Sequence, residues 1–173
     1  MNGELVEVPR VWVGCVACHE LGNLVGEWVD AVGCEEFVPC DRDGYGHGDR
    51  WVFDTENLPI GECSPDEASR VAGEALACAE ATGAPLGAVW AYWEDRHGYP
   101  DALDSFEESW AGEWDSAADY AADCVESTGD IEQVPGYLQG YIDCTALARD
   151  MELGGDITCH MAPGGGVWVF RSV

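Results

Sequence analysis

Charge constrains this chain before any pattern does. Thirty-four acidic residues face seven basic ones over 173 positions, a formal net charge of −27, and every basic residue is an arginine. Self-repulsion of that size opposes compaction. The acids must therefore lie outside, and a core must outweigh them. The material for a core is present, since 47% of the chain is hydrophobic and it holds eight tryptophans. That composition excludes a disordered acidic tail. The charge also excludes direct binding to nucleic acid or to an anionic membrane surface, because both are polyanions. The natural partner is a basic surface. Two blander uses are carboxylates kept for solubility in a salt-loving cell and a codon bias against lysine. Charge placement separates these readings.

No run of 18 apolar residues is present, so no membrane span is expected. "MNGELVEVPR" has no apolar signal core. The expectation is a cytoplasmic protein of a bacterial cell, with its nine cysteines reduced. Nine is odd, so complete internal pairing is impossible. "CVACH" (15–19) has the form of a c-type haem attachment motif and of half a zinc site. Haem attachment would need export. A zinc site would need a second pair, and Cys34 with Cys40 gives an irregular C-x2-C-x15-C-x5-C. Cys15 and Cys18 are therefore read chiefly as small buried hydrophobes, with no cofactor and no metal. Asp41, Asp43, Gly46 and Asp49 imitate a calcium loop, but its bidentate Glu is replaced by Val52. A Gly-rich turn is the reading there.

Residues 10–17 and 24–31 read as paired strands around the turn "ELGN", with "WVFD" (51–54) as a third strand. "SPDE" (64–67) starts a helix through Ser64 as cap, Pro65 at the first position and Glu67 in a capping box. Gly83 ends it. Residues 86–98 read as a second helix, whose Trp90, Tyr92 and Trp93 serve the core better than base stacking. Helices near 114–130 and in the later half of 137–153 follow. Strands at 156–161 and 167–172 then flank an "APGGG" hairpin. The fold class is α+β, a chain of three small subdomains. These are an N-terminal sheet (1–60), a helical middle (61–103) and a C-terminal α+β part (104–173) with an acidic helix.

The last part is the most acidic, with 14 acids against two arginines. On one continuous helix Asp115, Asp119, Asp123, Glu126 and Asp130 would share an arc of about 80° and span about 22 Å. Ala117, Tyr120, Ala121 and Cys124 would lie opposite. An ordinary solvated face mixes signs, because like pairs at i,i+4 cost about 0.2–0.5 kcal/mol each. Asp104, Glu107, Glu108 and Glu113 extend this line, and no arginine occurs from 97 to 148. Duplex DNA carries one charge per about 1.7 Å, so 27 charges correspond to roughly 46 Å of duplex and a dimer to roughly 90 Å.

Three segments resemble the ArdA-type antirestriction proteins of plasmids, transposons and phages. "VWVGCVACHELGNLVGEWVDA" (11–31) is similar to the family's opening at Gly22, Gly26, Trp28 and Asp30, with His19 and Glu20 in place of Tyr-Asn. "FEESWAGEWDSAADYA" (106–121) matches at Phe106, Trp110, Gly112, Trp114, Ser116, Tyr120 and Ala121. "YIDCTALARDMEL" (141–153) matches at Tyr141, Asp143, Ala148, Arg149 and Asp150, with Cys144 and Met151 departing. Residues 35–100 match little. The resemblance implies an elongated, curved, three-part homodimer that mimics bent B-form DNA, and it makes "CVACH" a strand-to-turn segment with His19 as a turn residue. Such a protein occupies the DNA groove of type I restriction–modification enzymes without catalysing a reaction.

On this reading Asp104, Glu107, Glu108, Glu113, Asp115, Asp119, Asp123, Glu126 and Asp130 stand in for phosphates. Arg149 would pair internally with Asp143 or Asp150. No G-x-S-x-G or P-loop appears, and His19, His47, His97 and His160 fall in unrelated segments. Two alternatives remain. One is an acidic interaction protein aimed at RNA polymerase, a nucleoid protein or a repressor. The other is a cytosolic metal-binding protein using the cysteines.

Overall fold

The structure, a computed structural model, describes residues 8–40, 48–97 and 101–173. The calcium-like stretch Asp41 to Gly46, and His47, lie outside these residues. Two three-stranded sheets and, among the described residues, eight helices make an α+β fold. The chain divides into two compact units, residues 1–103 and 104–173.

In the first unit the central strand is β1 (Arg10–Cys15), with Val11 and Val13 fully buried. β-branched side chains suit a pleated, covered surface. β2 (Gly26–Asp30) and β3 (Arg50–Glu56) flank β1, both antiparallel to it. Residues 16 and 17 are not strand, contrary to the sequence reading. The ladders end at Gly14↔Gly26 and Cys15↔Arg50. Val16 therefore has no strand partner, and the chain turns into a short helix, α1 (Val16–Glu20). The Val16 N–H bonds the Asp49 carbonyl instead.

α2 (Pro65–Thr82) starts as its sequence dictates. The Glu67 N–H donates to Ser64 Oγ at 3.2 Å, Pro65 follows the cap, and Gly83 ends the helix. α2 buries Ala68, Val71, Ala72 and Ala75 and packs on β3, on a 3-10 turn at Cys34–Glu36 and on α3 (Leu86–Asp95). Trp90 and Tyr92 of α3 are buried, so these rings belong to the core. Arg96 lies 3.4 Å over the Tyr92 ring.

The second unit opens with α4 (Phe106–Ser109), α5 (Ala117–Ser127) and a strand between them, β4 (Trp110–Trp114). Two single-turn helices, α6 (Asp130–Gln133) and α7 (Gly136–Gln139), then lead to α8 (Cys144–Gly154). β5 (Ile157–Met161) and β6 (Val167–Arg171) close the chain as a hairpin. The sheet order is β4-β6-β5, and Trp168, Val169 and Phe170 of the central strand are buried. Tyr120 of α5 meets Ile157 and Val169, with Ala111, Trp114, Cys124 and Met151 packed around them. β4 was not read from the sequence. Its five residues WAGEW hold a glycine and an acid, and the ladder to β6 shifts register between Trp110 and Gly112.

Candidate functional site

The second unit has a small core and an outside dominated by acids, with 14 carboxylates against Arg149 and Arg171. All 14 of its carboxylates are exposed. Among the described residues the ion pairs are Arg10–Glu56 and Arg70–Glu74, both in the first unit. No carboxylate from residues 104–173 joins an ion pair there. Burial of the Tyr120 side of α5 fixes which face carries the acids. Ser116 caps the helix, since its Oγ accepts from the Asp119 N–H at 3.2 Å and donates to Asp119 Oδ2 at 2.5 Å.

The single acidic helix expected over 114–130 is not formed. α5 ends at Ser127, and Gly129 takes a left-handed φ of 74° before α6 begins at Asp130. A glycine reaches that conformation without steric cost, and the chain bends there. Asp115 precedes the cap. Only Asp119, Asp123 and Glu126 share α5, within an arc of about 60° at 100° per residue. Asp130 belongs to the next helix, where its carboxylate accepts from Thr128 Oγ1 at 2.9 Å and Gln133 Nε2 at 3.2 Å. Glu107 and Glu108 sit in the first turn of α4, and Asp104 precedes that helix. Glu113 projects from β4 and accepts from Trp168 Nε1 at 3.0 Å. One indole bond leaves the carboxylate oxygens with further lone pairs free.

Several matched motif positions have local structural jobs. Asp143 caps α8, its Oδ1 accepting from the Ala146 N–H at 3.0 Å. The expected pairing of Arg149 with Asp143 or Asp150 does not occur. Asp143 is turned to the helix backbone, and Arg149 and Asp150 are both exposed without an ion pair among the described residues. Ala148 is buried and Tyr141 is 84% exposed. Gly26 is required by packing, since a Cβ there would fall 2.5 Å from the Val13 carbonyl oxygen and 2.7 Å from the Trp12 ring. Trp28 lies directly across from Trp12, and its carbonyl accepts from Arg10. Asp30 is the register partner of Arg10 at the end of the same ladder.

His19, at the end of α1, stacks on Phe53 at 4.5 Å, His97 follows α3, and His160 lies on β5. The second half of the zinc pattern is not assembled, because Cys34 Sγ donates to the Pro65 carbonyl at 3.2 Å. Cys40 instead lies beside Cys18, with Sγ atoms 3.7 Å apart. The sequence offered Cys40 only as half of a pair with Cys34, and it is Cys40 alone that the fold brings to Cys18, 22 residues away.

Exposed, uncompensated carboxylates have one strong chemistry, the acceptance of charge-assisted hydrogen bonds from arginine and lysine. That is the chemistry of an interaction surface for a basic partner. No curated protein is similar enough to the chain to be matched. A family model described as Antirestriction protein (ArdA) matches residues 11–162, which contain all three of the segments singled out above. The chain belongs to the ArdA family of antirestriction proteins.

Proposed function

We propose that the protein is a non-catalytic mimic of DNA, whose carboxylates occupy the DNA groove of a type I restriction–modification enzyme. The observation that carries this reading is the state of the second unit. Its 14 acids are all exposed, and none shares an ion pair with an arginine among the described residues. A folded protein ordinarily mixes signs on such a surface, because like charges cost helix stability. Keeping them unpaired leaves each carboxylate available to a basic groove, as a phosphate would be. Membership of an antirestriction family supplies the class of target.

The proposed contact residues are Asp104, Glu107, Glu108, Glu113, Asp115, Asp119, Asp123, Glu126 and Asp130, spread over α4, β4, α5 and α6. The family resemblance also points to a homodimer. Tyr137, Leu138, Tyr141 and Leu153, all exposed, are apolar groups that such contact between copies could cover.

The deciding experiment is displacement of labelled DNA from a type I methyltransferase core by the purified full-length protein. Displacement at a fixed stoichiometry is expected. Each single acid-to-amide change is expected to weaken it by no more than about 1 kcal/mol, the range of exposed pairs. Neutralising all nine together is expected to abolish it. A folded ninefold variant that displaces DNA as well as the wild type would defeat the site assignment. Displacement of DNA from RNA polymerase or a nucleoid protein, and not from the methyltransferase, would redirect the reading to another basic partner.

A further inference from the structure

We propose that Cys15, Cys18 and Cys40 form a three-thiolate site for a zinc ion in the first unit. Their three Sγ atoms lie within 4.8 Å of one another, and all three residues are buried. The fold brings them together from separate elements. Cys15 ends β1 and precedes α1, Cys18 lies inside α1, and Cys40 follows the 3-10 turn at Cys34–Glu36. Ala17 and Val25 pack against the trio.

The dimensions suit the ion. Zinc binds thiolate at about 2.3 Å, so two sulfurs on a tetrahedral zinc sit about 3.8 Å apart. The Cys18 and Cys40 sulfurs are 3.7 Å apart. An upper limit of 4.8 Å for the other separations leaves about 1 Å to close by small side-chain rotations. A disulfide would need about 2.05 Å. Three soft sulfur donors select zinc or copper(I) over calcium, magnesium or manganese. The chain's charge of −27 raises the local concentration of cations. The surrounding apolar side chains keep water from competing at the sulfurs.

Among the described residues no fourth His, Cys, Asp or Glu ligand joins the three. Loading replaces thiol protons by the metal, so affinity rises with pH. A bound ion would clamp the middle of the β2–β3 connection onto the end of β1.

The test uses the full-length protein, purified with a phosphine reductant and no chelator. Elemental analysis is expected to give one zinc per chain. Titration of the metal-free protein with cobalt(II) is expected to give near-ultraviolet thiolate-to-cobalt charge-transfer bands that saturate at one equivalent. Those bands arise only from sulfur ligation, so loose cation binding to the acidic surface does not mimic them. Cys18→Ser and Cys40→Ser are each expected to lower cobalt affinity at least tenfold, whereas Cys34→Ser leaves it unchanged. Absence of charge-transfer bands in the wild-type titration overturns the proposal whatever the variants do. So does unchanged cobalt binding by Cys40→Ser, or a Cys18–Cys40 disulfide in freshly purified protein by mass spectrometry.

Discussion

Single residues hold this fold at places where chemistry leaves little choice. Asp143 satisfies a backbone N–H at the start of α8. Asp143→Ala is expected to destabilise the protein by about 1 kcal/mol, the usual cost of losing a cap, with Asp143→Asn much closer to wild type. Urea unfolding midpoints measure both. Arg149→Ala, at an exposed side chain, is expected to stay within about 0.5 kcal/mol of wild type. Equal losses at 143 and 149 would mean that the two residues act as a pair after all. Gly26 sits where a methyl group would meet backbone only 2.5 Å away. Gly26→Ala is expected to cost about 1–3 kcal/mol, as overpacking does, while Gly61→Ala, with open space around it, is expected to cost less than 1 kcal/mol.

At the scale of elements, the break at Gly129 separates α5 from α6. Neutralising only α5, through Asp119→Asn, Asp123→Asn and Glu126→Gln, removes one like pair at i,i+4 and one acid of the first turn. These terms oppose each other at about 0.2–0.5 kcal/mol and about 0.3–1 kcal/mol. The triple variant is therefore expected to melt within a few degrees of wild type while displacing DNA less well than any single change. A large drop in melting temperature would mean that these acids hold the fold.

Elements with punctuation were legible in the sequence. Ser64, Pro65 and Gly83 bracketed α2, and the glycine turn marked the β5–β6 hairpin. Elements fixed by tertiary pairing were not. β4 exists because β6 offers it a ladder, and α1 exists because both neighbouring strands stop opposite residues 14 and 15. The acidic residues were nominated correctly as exposed. Their periodicity at 100° per residue ran through Gly129, although a glycine there carries the same stop signal that ends α2 at Gly83. The exposed face of α5 followed from Tyr120 and Ala121 opposite it, whereas the Cys18–Cys40 contact depends on chain reversals that no local pattern encodes.

For the whole molecule, pH and salt act in directions set by these groups. Burial raises the thiols of Cys34 and Cys63 to about 11 and that of Cys159 to about 12, and it raises Tyr120 to about 12. Raised values mean that the unfolded chain releases these protons first as pH rises. The stability involved is fully present below about pH 9 and is lost between about pH 9 and 12. Urea midpoints are expected to fall through that window, and Cys63→Ala is expected to flatten the fall. Salt is expected to act with two signs. Screening relieves self-repulsion and raises the melting temperature, yet it weakens attraction to a basic partner. Melting curves and DNA displacement across a sodium chloride series should move oppositely. A parallel response would mean that partner binding is not electrostatic.

The helices begin with acids time after time: Asp66 and Glu67 on α2, Glu107 and Glu108 on α4, Asp119 on α5, Asp130 and Glu132 on α6. Each of these starts offers the positive end of a peptide dipole. A chain cut into many brief helical turns has more such berths than one long rod of the same length. The interruption at Gly129 thus supplies a fresh berth for Asp130 and Glu132, and each such berth offsets a part of the self-repulsion of so anionic a polypeptide.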